Sequence, residues 1–97
     1  MRLRYAPEAR QDIRDILAHI RKESPKGATR VGQRIADVAR LVADQPGAGT
    51  MTDSPPMRRM PVRPFPYVLF FEPHGSDIVI VGVRHGARDP ETMPDNR

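Results

Sequence analysis

The spacing of apolar positions changes along the chain, and each change predicts a different element. Arg2, Leu3, Arg4 and Tyr5 alternate, the period of a half-buried strand with Leu3 and Tyr5 turned inward. From Pro7 the period lengthens. Ala9, Ile13, Ile16, Leu17 and Ile20 form one stripe of a helix whose first turn carries Pro7 and Glu8 and whose end falls near Lys22 or Glu23. Ser24-Pro25 repeats the start signal, a capping hydroxyl followed by proline, and Ala28, Val31, Ile35, Val38, Leu41 and Val42 make a second stripe that Asp44-Gln45-Pro46-Gly47 stops. Two amphipathic helices on so short a connection form an antiparallel hairpin. Gly32 within the second reads either as close helix packing or as a surface glycine.

Residues 47–56 read as a loop rich in Gly, Thr, Ser, Asp and Pro, in which Met51 either folds back on the core or meets a partner. Met57 to Val62 resumes an extended pattern, with Met60 and Val62 on one side and Arg59 and Pro61 on the other. The prolines at 61, 64 and 66 restrict it to an edge or irregular strand. Tyr67–Glu72 and Ile78–Val83 are rich in aromatic and β-branched residues, and the stretch between them, Pro73-His74-Gly75-Ser76-Asp77, supplies turn residues. The second of these strands is nearly continuous in apolar residues and belongs in the centre of the sheet. Gly82 inside it marks a bulge or the close approach of another backbone. The expected fold is therefore α+β in the order β-α-α-β-β-β, a helical hairpin packed on one face of a small, mainly antiparallel sheet, within a single domain over 1–97 whose polar tail frays from about residue 90.

Composition narrows the chemistry. With 97 residues, no cysteine and three dispersed histidines (His19, His74, His85), disulfides, thiolate sites and a metal centre are not expected, and no cofactor is implied. His19 and Gln33 fall off the apolar stripes and read as surface residues. No apolar run is long enough for a membrane span and no secretory pattern opens the sequence, which points to a cytoplasmic protein. The net charge of +4 is carried mostly by arginine. Arginine favours planar recognition of phosphate or carboxylate, so nucleic acid, a nucleoprotein machine and an acidic protein all remain open as partners.

The arginines cluster. Arg58, Arg59 and Arg63 have no acidic residue between them, and Arg84, His85 and Arg88 follow the last strand. The first group forms either a binding patch or the charge with which an edge strand protects itself from aggregation. Arg84 and Arg88 either meet a target or pair with Asp89 or Glu72. His85 is either a proton-transfer group, with Glu72 as partner if the strands align them, or a residue that fixes the chain exit by bonding a carbonyl.

Tyr5-Ala6-Pro7-Glu8-Ala9 running into Asp12-Ile13 and Ile16, the helix end Asp44-Gln45-Pro46-Gly47, the arginine-bearing strand, Tyr67-Val68-Leu69-Phe70-Phe71, and finally Val83-Arg84-His85-Gly86-Ala87-Arg88-Asp89 resemble the RelE/ParE superfamily of type II toxins, and the last segment is similar to the ParE branch in particular. The resemblance covers residues 2 to 89. It implies a bacterial toxin held inactive by a cognate antitoxin. One branch poisons DNA gyrase, stabilising its cleaved DNA complex and blocking replication; the other cleaves messenger RNA in the ribosomal A site.

An RNA-cleaving site needs a group to activate the 2′-hydroxyl, one to protonate the leaving oxygen, and cations for the phosphate. RelE-like nucleases usually carry a Tyr or His after the last strand, and residues 86–97 contain neither. The resemblance therefore implies a toxin that acts by binding, with Arg58, Arg59, Arg63, Arg84, His85 and Arg88 as target contacts and no catalytic residue. The alternative is a ribosome-dependent endoribonuclease using His85, Arg84 and Arg63. A third expectation is a degenerate member that binds antitoxin alone. The antitoxin is expected to lay an apolar segment along the helices, with Leu17, Ile20, Val38 and Met51 as groove residues.

Overall fold

Chain order in the computed structural model, which describes residues 1–86, is β1 (Arg2–Tyr5), α1 (Pro7–Arg21), α2 (Pro25–Asp44), β2 (Thr50–Met51), β3 (Arg58–Pro61), β4 (Tyr67–His74) and β5 (Asp77–His85). The five strands form one sheet in the order β1-β5-β4-β3-β2. Only β1 and β5 run parallel; the other neighbours are antiparallel. The helices lie on one face, as their stripes require. The added element is β2, two residues of the stretch read as loop, which pair with Arg58 and Arg59.

Local chemistry sets the boundaries. Pro7 and Pro25 open the helices, and the Ser24 hydroxyl accepts the Gly27 N–H at 2.9 Å, a cap worth about 1 kcal/mol. The β4–β5 turn is tighter than the sequence suggests. Pro73 and His74 still pair with Ile78 and Asp77, so the reversal falls on Gly75 and Ser76, with Gly75 at φ +60° as the first central position of such a turn requires.

The core fills the space between helices and sheet. Phe71, Ile35, Leu69, Ile78, Ile80, Val38, Val42, Val62 and Val83 are its largest fully buried side chains, each contributing about 1.5–3 kcal/mol by burial. Leu3 and Tyr5 pack against it from β1, and Ile13, Ile16, Leu17 and Ile20 from α1. The central place expected for the last strand holds: β5 sits between β1 and β4 and is buried through most of its length.

The segment before β3 is folded back on itself. Thr52, nearly fully buried, donates its hydroxyl to the Met57 carbonyl at 2.9 Å and accepts the Ser54 N–H at 3.1 Å. Gly49 adopts φ +76°, where a Cβ would overlap the Arg59 carbonyl oxygen. Only glycine meets both conditions.

Candidate functional site

The end of β5 is held differently from its beginning. Pairing with β1 covers only Asp77 to Ile80. The register with β4 then shifts, Phe71 facing Ile80 and Phe70 facing Gly82, which leaves Val81 as the extra residue of a bulge. Beyond the bulge α1 replaces β1 along the strand edge. One carboxylate oxygen of Asp12, Oδ2, accepts the Val83 N–H at 3.0 Å and Arg84 Nη1 at 2.5 Å. Gly82 makes room: a Cβ there would sit 3.2 Å from the same oxygen. The bulge expected at Gly82 is present, and the close approach is made by a carboxylate rather than by backbone.

Asp12, Asp15, Ile16 and His19 share one face of α1 and meet Tyr67, Val83, Arg84 and His85 around a cleft of about 240 Å³. Tyr67 and His85 are cross-strand partners, and their rings meet edge to face with centroids 5.4 Å apart and planes at 87°. His85 takes part in further interactions within the protein. Ile16, Val83 and Tyr67 supply an apolar floor.

Several sequence expectations change here. Glu72 cannot assist His85: it faces Val79 near the opposite end of the hairpin, and its Oε2 lies 2.9 Å from His74 Nε2. Arg84 pairs with Asp12, not Glu72. His19 is exposed, as its place off the apolar stripe implies, and it also lines the cleft. Arg88 and Asp89, expected beside Arg84, lie outside the described residues.

The arginines of the β3 region divide in two. Arg58 turns toward the loop before β2 and donates to three carbonyl oxygens, those of Gly47, Ala48 and Gly49, at 2.9, 3.0 and 3.3 Å. Its guanidinium is committed to holding that loop. Arg59 and Arg63 instead border a second cleft of about 360 Å³, floored by Pro61, Phe65, Pro66, Tyr67 and Val68 and reaching Gly86. Arg59 and Pro61 alternate to the side of β3 opposite Met60, whereas Phe65 and Tyr67 also pack against the core. The Arg63 carbonyl accepts Arg34 Nε at 2.6 Å, which anchors this corner to α2. Tyr67 belongs to both clefts.

A third depression lies between the helices. Tyr5, Arg10, Ile13, Leu17, Gly32, Ile35 and Ala36 line a mostly apolar groove of about 300 Å³. Burial pushes the Tyr5 hydroxyl above its ordinary value against the opposing effect of the nearby Arg40 and Arg10 guanidiniums. Of the expected groove residues, Leu17 is here, while Ile20 packs on the core near Gly27. Val38 has to be withdrawn: at 1% exposure it faces the sheet, and no partner can reach it. Met51 is 46% exposed but stands on β2, at the sheet edge opposite β1. Gly32 explains the groove's depth, since a Cβ there would lie 3.3 Å from Leu17 Cδ1.

Among the described residues no group of three His, Asp or Glu side chains could hold a metal ion, and no helix is long and apolar enough to cross a membrane. The family model described as the ParE toxin of the type II toxin–antitoxin system parDE matches residues 3–90. The fold resembles a solved structure of the chromosomal ParDE system from P. aeruginosa, with a TM-score of 0.78 at 23% identity over 88% of this chain and 95% of that one. No curated protein matches the sequence.

Proposed function

The chain belongs to the ParE toxin family of type II toxin–antitoxin systems, and from that premise we propose that it arrests growth by binding DNA gyrase and stabilising the cleaved DNA complex, as a cytoplasmic toxin neutralised by a cognate antitoxin. The observation that carries this reading is how the polar groups at the end of β5 are used. Arg84 is tied to Asp12, which also fixes the Val83 N–H. Glu72 serves His74 at the other end of the hairpin. These pairings build a fixed, charged wall suited to recognition, beside an arginine-bordered cleft on the same strand end. Arg59, Arg63, Arg84 and His85 are the proposed target contacts among the described residues, and Arg88 is retained with them from the sequence.

The experiment is a gyrase assay with purified protein free of antitoxin, scoring supercoiling and cleaved DNA together. Dose-dependent accumulation of cleaved complexes, reversed by antitoxin, is the expected result. Gyrase left untouched by folded protein that still arrests growth would sink the proposal.

The antitoxin is proposed to seat an apolar segment in the groove between α1 and α2, with acidic residues meeting Arg10 and Arg40. Ala36, exposed at the groove, gives a clean test: Ala36→Trp fills the depression and should weaken antitoxin binding while leaving the fold intact.

A second reading, ribosome-dependent cleavage of messenger RNA, is favoured by one observation: Tyr67 and His85 are in contact, and Asp15 and His19 line the same cleft. It requires that His85→Gln stop cleavage of ribosome-bound message. Cleavage at the unaltered rate in that variant excludes it.

A further inference from the structure

We propose that the exposed basic row at the hairpin end and along α2 binds the phosphate backbone of duplex DNA, without sequence preference, on a surface separate from the three clefts. The proposal goes beyond the gyrase reading and does not depend on it. Charge is unevenly spread along the chain. Residues 21–34 hold five basic residues, Arg21, Lys22, Lys26, Arg30 and Arg34, against one acid, Glu23, a net +4 that equals the charge of the whole protein. All five are exposed, and among the described residues none of them has a carboxylate partner.

Helix stability does not account for the part of the row on α2. Lys26 stands in a first turn that has no acidic residue, and Asp44 ends a last turn that has no basic one; both charges oppose the helix dipole. Lys26, Arg30 and Arg34 also follow one another at i, i+4, where like charges repel. Asp37, the next acid along the helix, is bonded instead to Gln33 at 3.0 Å. Arg34 turns toward the β3–β4 connection, its Nε donating to the Arg63 carbonyl at 2.6 Å, an uncharged acceptor that leaves the guanidinium its full charge. A bound polyanion relieves these repulsions together.

The chemistry of the face selects the polyanion. Between Lys26 and Arg34 the exposed residues are Thr29, Arg30 and Gln33, so the face offers hydroxyl, amide and cationic groups and no apolar anchor. A protein interface draws its strength from such anchors, a membrane-surface helix from apolar residues it inserts, and a single strand from aromatic rings on which its bases stack. Duplex phosphates need none of these, because release of condensed counterions supplies the binding energy. The cations recur about every 6 Å along the helix axis, a straight row suited to a stiff, regular line of phosphates. Thr29 and Gln33 add donors of the kind that contact phosphate oxygens.

The test is fluorescence anisotropy of the full-length, antitoxin-free protein with a labelled duplex of about 20 base pairs, two helical turns, across a salt series starting near 50 mM. Binding is expected, with log K falling against log salt at a slope of roughly −0.9 for each phosphate engaged. Lys26→Gln with Arg30→Gln should lower affinity at least about tenfold near 50 mM salt and make the slope shallower by roughly 2. Its Tm should be no lower than that of the unaltered protein, since like-charge repulsion is removed. Arg30→Gln alone should make the slope shallower by about 0.9, whereas Arg14→Gln, exposed on α1 away from the row, should leave it unchanged. No duplex binding near 50 mM salt, an equal loss in the Arg14 and Arg30 variants, or a lower Tm in the double variant each overturns the inference. Tighter binding of a single strand of equal length, or displacement of the duplex by polyglutamate or anionic vesicles at lower charge concentration than by unlabelled duplex, overturns it as well. Duplex binding by protein that leaves gyrase untouched supports the inference and counts against the gyrase reading alone.

Discussion

Replacing Asp12 with alanine tests the proposition that α1 substitutes for a strand along the last part of β5. The substitution removes one oxygen that serves two donors, Val83 N at 3.0 Å and Arg84 Nη1 at 2.5 Å. The ion pair is intermediate in exposure, the Asp12 side chain 20% and the Arg84 side chain 37% accessible. It therefore belongs at the top of the range of about 0.2–1 kcal/mol for exposed pairs and well below that for buried ones. About 1 kcal/mol is a fair value. Val83 is 2% exposed, and stranding its N–H adds roughly 1–2 kcal/mol. The sum is about 2–3 kcal/mol. For a chain of this size each kcal/mol lowers Tm by about 4–8 °C, so a fall of roughly 8–24 °C is expected by calorimetry. Asp12→Asn keeps an acceptor for Val83 and loses only the charge, and should fall by about 1 kcal/mol. A double-mutant cycle with Arg84→Ala isolates the pair and should give about 1 kcal/mol of coupling. A Tm loss smaller in Asp12→Ala than in Asp12→Asn, or strict additivity in the cycle, would refute the reasoning, because the carboxylate would then not be what joins helix to strand.

Three further changes probe the surroundings. Gly49→Ala forces a side chain into φ +76° and against the Arg59 carbonyl, so it should destabilise by more than the roughly 1–2 kcal/mol of the left-handed conformation alone; a denaturant midpoint unchanged from wild type would contradict this. Arg58→Ala releases three carbonyls and should cost about 2 kcal/mol while making residues 47–57 the first site of limited proteolysis. Asp77 is held below the usual carboxylate value chiefly by its hydrogen bond from Arg2, with Arg4 adding to it against burial. Its folded value is the lower one, so its contribution is present above the ordinary value near 3.8 and is lost as pH falls through the lowered value. Asp77→Asn should accordingly flatten the acid limb of a stability-versus-pH curve below about pH 4 and leave its shape near neutrality unchanged.

Much of the fold was legible because it follows from periodicity. The stripes of α1 and α2, the prolines that open them and the apolar run of β5 all act through local sequence, and each appears where its pattern placed it. The strand β2 was not legible: two residues, Thr50 and Met51, carry no period, and they pair only because Arg58 and Gly49 hold the chain before them. The turn at Gly75 was read as longer than it is, since Pro73 suggested a break where the strand in fact continues. The site was less legible still. Arg59, Arg63, Arg84 and His85 were named from charge, position and resemblance, whereas His19 was read as a surface residue and neither Asp12 nor Asp15 was named as a site residue. A signal was available in their spacing, with Ile16 among them, but a single helix cannot say which of its polar flanks will be covered.

What covers that flank is decided by the length of β1. A strand of four residues leaves the second half of β5 without a backbone neighbour on that side, and an uncovered edge with free donors is unfavourable. The bulge at Val81 turns the strand toward α1, Gly82 lets a carboxylate in, and Asp12 supplies the acceptor that a fifth residue of β1 would have supplied. A side chain, unlike a strand, leaves space around itself, and the cleft at Tyr67 and His85 is that space. The same shortfall places Arg84 and His85 on a strand end supported by α1. The device that completes the sheet thus also presents the residues proposed to meet the target, and for this reason Asp12, which faces neither partner nor solvent fully, is expected to affect toxicity as well as stability.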